Sequence, residues 1–97
     1  MRMVSARYSR NFVKGYRKAG KKVQNAFLQR QKLFIDDPFH PLLRNHALSG
    51  RYKGMRSINV TGDWRAIYSE QVHKHGQVKQ GKSITFEEIG THSQLYK

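Results

Sequence analysis

The sequence predicts an α+β domain: two N-terminal helices packed on one face of a small twisted, mainly antiparallel β-sheet. Three observations lead there. Apolar residues recur at helical spacing between Ser9 and Ile35. The stretch "DDPFHP" then stops helix with two prolines three residues apart. Beyond it the apolar residues alternate, and turn signals separate the alternating runs. With 97 residues there is material for one domain, spanning 1–97. A chain of this size buries roughly 60–65% of its unfolded surface, so a functional surface should be a shallow groove.

Each element follows from local chemistry. Met3 and Val4 can open a short strand. Phe12, Val13, Tyr16 and Ala19 share one helical face, with Ser9 as N-cap and Gly20 as stop. A second helix is predicted over 22–35, with Val23, Ala26, Phe27, Leu33 and Phe34 inward and Arg30 and Lys32 outward. The two form a helical hairpin joined at "AGKK". "MRSINV" alternates Met55, Ser57 and Asn59 against Arg56, Ile58 and Val60. "TGD" is a turn, "WRAIYS" a strand, and "SITFEEI" a further strand through Ile84 and Phe86. Residues 70–82 are polar and without period, and are predicted as a flexible loop. The other face of the sheet is left free for a ligand.

Nineteen Lys/Arg against six Asp/Glu give a net charge of +13 and a pI near 10.5. Residues 1–35 hold ten of the cations and no acid. Such a surface attracts polyanions: nucleic acid, an acidic protein or an anionic membrane. No cysteine is present, which excludes disulfides, thiolate metal sites and a cysteine nucleophile. No apolar run approaches the ~20 residues of a membrane helix. "MRMVSARYSRNF" lacks the apolar core of a signal peptide. A cytoplasmic protein without a membrane partner is expected.

"GQVKQGKS", residues 76–83, fits the phosphate-loop pattern G-x-x-x-x-G-K-[ST]. A phosphate loop must lead into a helix whose N-terminus faces the phosphates. Here "ITFEEIG" follows, which reads as strand, so the match is expected to be fortuitous. His73 and His75 form an H-x-H pair, but no further ligand is near in sequence, and solvated histidines are expected.

The chemistry-bearing stretches are "RNHALSGRYKGMR", "GDWRAIY" and "GTHSQLY". Cleaving RNA without a metal requires a base for the 2′-hydroxyl, an acid for the departing 5′-oxygen and a cation at the phosphate. Histidine suits both proton roles, since its ordinary pKa of about 6.5 lies close to neutral pH. Arginine and lysine supply the electrostatic part. His46, Asp63 and His92, with Arg51, Lys53, Arg56 and Arg65, contain every component. Each also has a plainer reading. Trp64 suits the core as well as a base-stacking platform, Asp63 suits a turn, and Tyr96 suits packing. Thr91 can cap a last helical turn beginning at His92.

Taken together, "H-x-L-x-G-x-x-K-G-x-R" from His46, "DWRAIY" from Asp63 and "F-E-x-I-G-T-H-S-x-L-Y" from Phe86 resemble the RelE/ParE toxin superfamily, YafQ-like branch. The resemblance runs from Pro41 to Tyr96. It implies the toxin of a type II toxin–antitoxin pair, an endoribonuclease that cuts mRNA in the ribosomal A site by 2′-hydroxyl attack, without a cofactor. It also implies a cognate acidic antitoxin as partner. His46, Asp63, His92 and Tyr96 match the positions of the catalytic set, and Arg65 that of a phosphate-clamping arginine. Arg51, Lys53, Arg56 and Trp64 are the expected RNA contacts beside it. The chain departs from the pattern at Asn59, where YafQ-like toxins carry a histidine, and in the length of the 70–82 segment. Other readings are a ParE-like gyrase inhibitor and a non-catalytic RNA-binding module.

Overall fold

A computed structural model describes residues 3–96. It is an α+β structure with a five-stranded mixed sheet in the order β1-β5-β4-β3-β2. Strand β1 (Met3–Tyr8) leads into helix α1 (Arg10–Ala19) and helix α2 (Lys21–Asp36). A 3₁₀ turn (Pro41–Leu43), the short strand β2 (His46–Ala47) and a second 3₁₀ turn (Gly50–Tyr52) follow. Strands β3 (Arg56–Thr61), β4 (Trp64–His75) and β5 (Val78–Thr91) form a meander, closed by the short helix α3 (His92–Leu95).

The helical hairpin forms as its sequence predicts. Ser9 caps α1, its Oγ accepting from the Phe12 N–H at 3.0 Å. Gly20 alone separates the helices, at φ 89°. Contacts bridge the two helices across it: Gln24 Nε2 donates to the Tyr16 carbonyl at 2.8 Å, and the Phe12 and Phe27 rings lie 5.0 Å apart. The hairpin sits on one sheet face over Ile58, Val60, Ala66, Tyr68, Ile84, Phe86 and Ile89. Helix α1 approaches β5 closely at Gly15, where a Cβ would meet the Ile89 carbonyl oxygen at 2.8 Å.

Two features go beyond the predicted order. Strand β1 is longer than Met3–Val4 and runs parallel to β5, with Ser5 against Ser83 and Tyr8 against Phe86. The 70–82 segment is not a loop: β4 and β5 continue through it to a turn at Gly76–Gln77, pairing His75 with Val78. Its periodicity is absent because every residue from Glu70 to Gln80 is exposed, so neither face acquires an apolar stripe. Ser83 of the phosphate-loop match lies inside β5 with no helix after it, as the sequence indicated.

Tyr68 is the largest fully buried side chain. Burial pushes its phenol above the ordinary value of 10.0, opposed by the hydrogen bond with Asn45. A raised folded-state pKa favours the protonated fold, so this contribution is complete below about pH 10 and is lost as pH rises through the folded value. Thermal melting should therefore weaken above pH 10, and Tyr68→Phe should lessen that alkaline loss. Equal alkaline losses in the two proteins would refute the assignment.

Candidate active site

The sheet face away from the helices carries a smaller core: Tyr52, Ile67 and Leu95, flanked by Leu48, Met55 and Tyr96. Strand register sets what stands beside it. His46 lies opposite Ser57, and Ser57 opposite Ile67; one step along, Asn59 lies opposite Arg65, and Arg65 opposite Gly90. Directly opposed residues share a face, so β2, β3 and β4 present His46, Asn59 and Arg65 together.

Helix α3 completes the site from above. Thr91 and Gln94 form a reciprocal cap: the Thr91 Oγ1 accepts from the Gln94 N–H at 3.3 Å, and the Gln94 Oε1 accepts from the Thr91 N–H at 2.9 Å. Gly90 lets α3 fold onto β5, since a Cβ there would meet the Gln94 Oε1 at 3.1 Å and the Leu95 Cδ2 at 3.3 Å. The His92 N–H donates to the Asp63 carbonyl at 3.1 Å, tying α3 to the β3–β4 turn. His92 and Tyr96 are one helical turn apart, with ring centroids 4.7 Å from each other. The Tyr96 ring meets Tyr52 edge-on at 5.9 Å.

The result is an open cavity of about 460 Å³ lined by His46, Ala47, Leu48, Ser49, Arg65, His92 and Tyr96. Two imidazoles, a guanidinium and a phenol, remote in the chain, border one space. The His46 Nδ1 lies 2.8 Å from the Arg44 carbonyl. A carbonyl only accepts, so Nδ1 carries the proton and Nε2 is the nitrogen left for chemistry. Arg65 directs Nη1 to the Gly62 and Trp64 carbonyls at 3.0 and 3.1 Å, which holds the guanidinium at the cavity wall.

The remaining expected residues divide. Arg51 and Lys53 are exposed and do not line the cavity. Arg51 lies 4.8 Å over the Tyr52 ring and 4.0 Å from the Glu88 Oε2, which also accepts from the Tyr52 hydroxyl at 3.0 Å. Burial, reinforced by Glu88, raises the pKa of Tyr52. Asp63 reaches the site through its backbone carbonyl, and its exposed carboxylate does not line the cavity.

Two expected RNA contacts are corrected. Trp64 packs, half-buried, against the main core beneath the helices, where an indole gains more from apolar contact than from a wet sheet face. Arg56 shares the face of Ile58 and Val60, as the alternation of "MRSINV" itself indicates. Its Nε donates to the Asn45 Oδ1 at 2.8 Å, and its guanidinium lies 5.3 Å from the Phe39 ring centroid.

That network exposes a residue the sequence reading missed. The Asn45 Nδ2 donates to the Pro38 carbonyl at 2.9 Å and to the Tyr68 hydroxyl at 2.7 Å, while its Oδ1 accepts from Arg56. Asn45 thus anchors the backbone immediately before His46 to the buried core. Its position beside His46 was the available signal. Among the described residues, no group of three or more His, Cys, Asp or Glu is arranged to hold a metal ion.

A helical hairpin over a five-stranded mixed sheet is the fold of the YafQ/RelE-like toxins. The chain is similar to the crystal structure of YafQ from E. coli strain BL21(DE3), with TM-score 0.72 and 26% identity over 95% of this chain and 97% of that one. It is similar to the E. coli DinJ-YafQ toxin-antitoxin complex, with TM-score 0.69 and 26% identity over 95% and 96%. A YoeB/ParE toxin from Agrobacterium tumefaciens shares the fold at TM-score 0.70 and 13% identity, over 92% and 99%. No curated protein sequence matches. A family model described as "Bacterial toxin of type II toxin-antitoxin system, YafQ" matches residues 4–97. The chain belongs to the YafQ family of type II toxin–antitoxin toxins.

Proposed function

We propose that this toxin is a ribosome-dependent endoribonuclease that cuts mRNA without a metal ion, and that it works in the cytoplasm. The observation behind this is the shared cavity of His46, Arg65, His92 and Tyr96. One imidazole takes the proton of the 2′-hydroxyl, and the freed O2′ attacks phosphorus. The bond to the 5′-oxygen breaks, and the second ring, entering as imidazolium, gives its proton to that oxygen, leaving a 2′,3′-cyclic phosphate and a 5′-hydroxyl end. Arg65 lies where it can offset charge building on the phosphoryl oxygens. Tyr96 packs against His92 and limits its rotation. Asp63 is a positioning residue, fixing His92 through its backbone carbonyl. Arg51 and Lys53, exposed outside the cavity, are the proposed contacts to phosphates on either side of the cut.

A net charge of +13 favours an acidic partner. The complex solved for the E. coli relative pairs that toxin with an antitoxin. An acidic cognate antitoxin is accordingly the proposed partner here. Primer extension on an mRNA undergoing translation should show cuts that require both this chain and ribosomes. Intact message, together with loss of supercoiling in a parallel gyrase assay, would instead establish a gyrase poison on the same fold.

A further inference from the structure

The end of the β4–β5 hairpin stands exposed. Every residue from Glu70 to Gln80 is exposed, including Val72 and Val78 at 40% and 62%. Two strands with both faces in water contribute little to the stability of the domain, because they bury no apolar surface. They carry two lysines and one acid. The single acid, Glu70, is paired with Lys82 at 3.0 Å. Lys74 and Lys79 remain, and the register sets them directly opposite each other. Directly opposed side chains lie side by side on one face, and like charges in that position destabilise the strand pair. Neither lysine forms an ion pair among the described residues. His73 and His75 stand on the same strand, His73 held by the Ser83 hydroxyl.

We propose that this hairpin end is a second RNA-contacting surface, separate from the cleavage site, on which Lys74 and Lys79 grip the phosphate backbone of a structured RNA. A row of phosphates offsets the repulsion between the two lysines, and displacing its counterions drives the binding. An isolated carboxylate would satisfy one lysine and leave the other. The choice of RNA among phosphate-bearing polyanions rests on the RNA chemistry proposed for the cleft. The contact is blind to sequence, since phosphates carry none. It would add affinity and orientation while the cleft does the cutting.

The experiment is an anisotropy titration of the full chain with a labelled 20-base-pair RNA duplex at several salt concentrations. The double substitution Lys74→Ala, Lys79→Ala should weaken binding about tenfold at low salt and reduce the slope of log K against log salt by about 1.4–1.8, the loss of two phosphate contacts. A control with Arg17→Ala and Lys18→Ala removes the same charge from exposed positions on α1 and should change affinity much less. An unchanged slope in the hairpin variant, or an equal loss in the control, would overturn the proposal. So would a hairpin variant that keeps its RNA affinity and loses only its antitoxin. A parent chain that binds the duplex through Lys74 and Lys79 yet leaves translated mRNA uncut would remove the nuclease proposal and leave the hairpin contact standing.

Discussion

His92→Ala should abolish the cutting of translated mRNA while the protein remains folded. A positioned imidazole contributes typically ~10²–10⁴-fold through each proton transfer, and the rate should fall by that factor. The fold should tolerate the change because the His92 side chain is exposed. What holds α3 in place is the Thr91–Gln94 cap, the His92 backbone N–H on the Asp63 carbonyl and the buried Leu95, and none of these needs the imidazole. Exposed substitutions away from such features usually alter stability by ~0.5 kcal/mol or less. Single-turnover cleavage on purified ribosomes, run beside a thermal melt, separates the two effects. Cutting at the parental rate by the folded variant would remove His92 from the mechanism.

Phe27→Ala carries the largest expected cost to stability. The Phe27 ring is 1% exposed and touches three others: Phe12 at 5.0 Å, Phe86 edge-on at 5.1 Å and Tyr16 edge-on at 5.9 Å. These join α1, α2 and β5, so the residue holds three elements together. Emptying such a site costs about 3–5 kcal/mol, from lost transfer free energy and the cavity left behind. Small domains have only about 5–15 kcal/mol in total. Denaturant unfolding should show a midpoint shift of that size, and the variant should be partly unfolded at 37 °C. Phe27→Leu, which keeps most of the volume, should recover much of the loss. An alanine variant within about 1 kcal/mol of the parent would mean that the aromatic cluster collapses around the gap.

The helical half was legible because its information is local: a serine cap, a helical stripe and one glycine. The β3–β4 turn and the cap on α3 were legible for the same reason. What could not be read was long-range. Nothing near Met3 signals that β1 extends to Tyr8 and lies parallel to residues 82–86. The far half of the β4–β5 hairpin is wet on both faces, so the alternation that marks a half-buried strand is missing there. His46, Arg65, His92 and Tyr96 were named from residue chemistry and motif order, and the fold brings them to one cavity. Arg56 and Trp64 were assigned to the ligand by type alone. Strand parity places Arg56 with Ile58 and Val60, and that parity outweighs its charge. Asn45 escaped notice because an asparagine in a turn commonly bonds its own backbone, whereas this one reaches to a tyrosine 23 residues away.

Strand β1 has β5 as its sole neighbour in the sheet, and α1 rests on β5 at Gly15. Strand β1 therefore depends on a segment far along the chain. Until residues 78–91 have been made, β1 has no strand to join, and the cleft lacks the two rings that follow β5. A half-finished chain therefore has neither its edge strand paired nor its cleft complete.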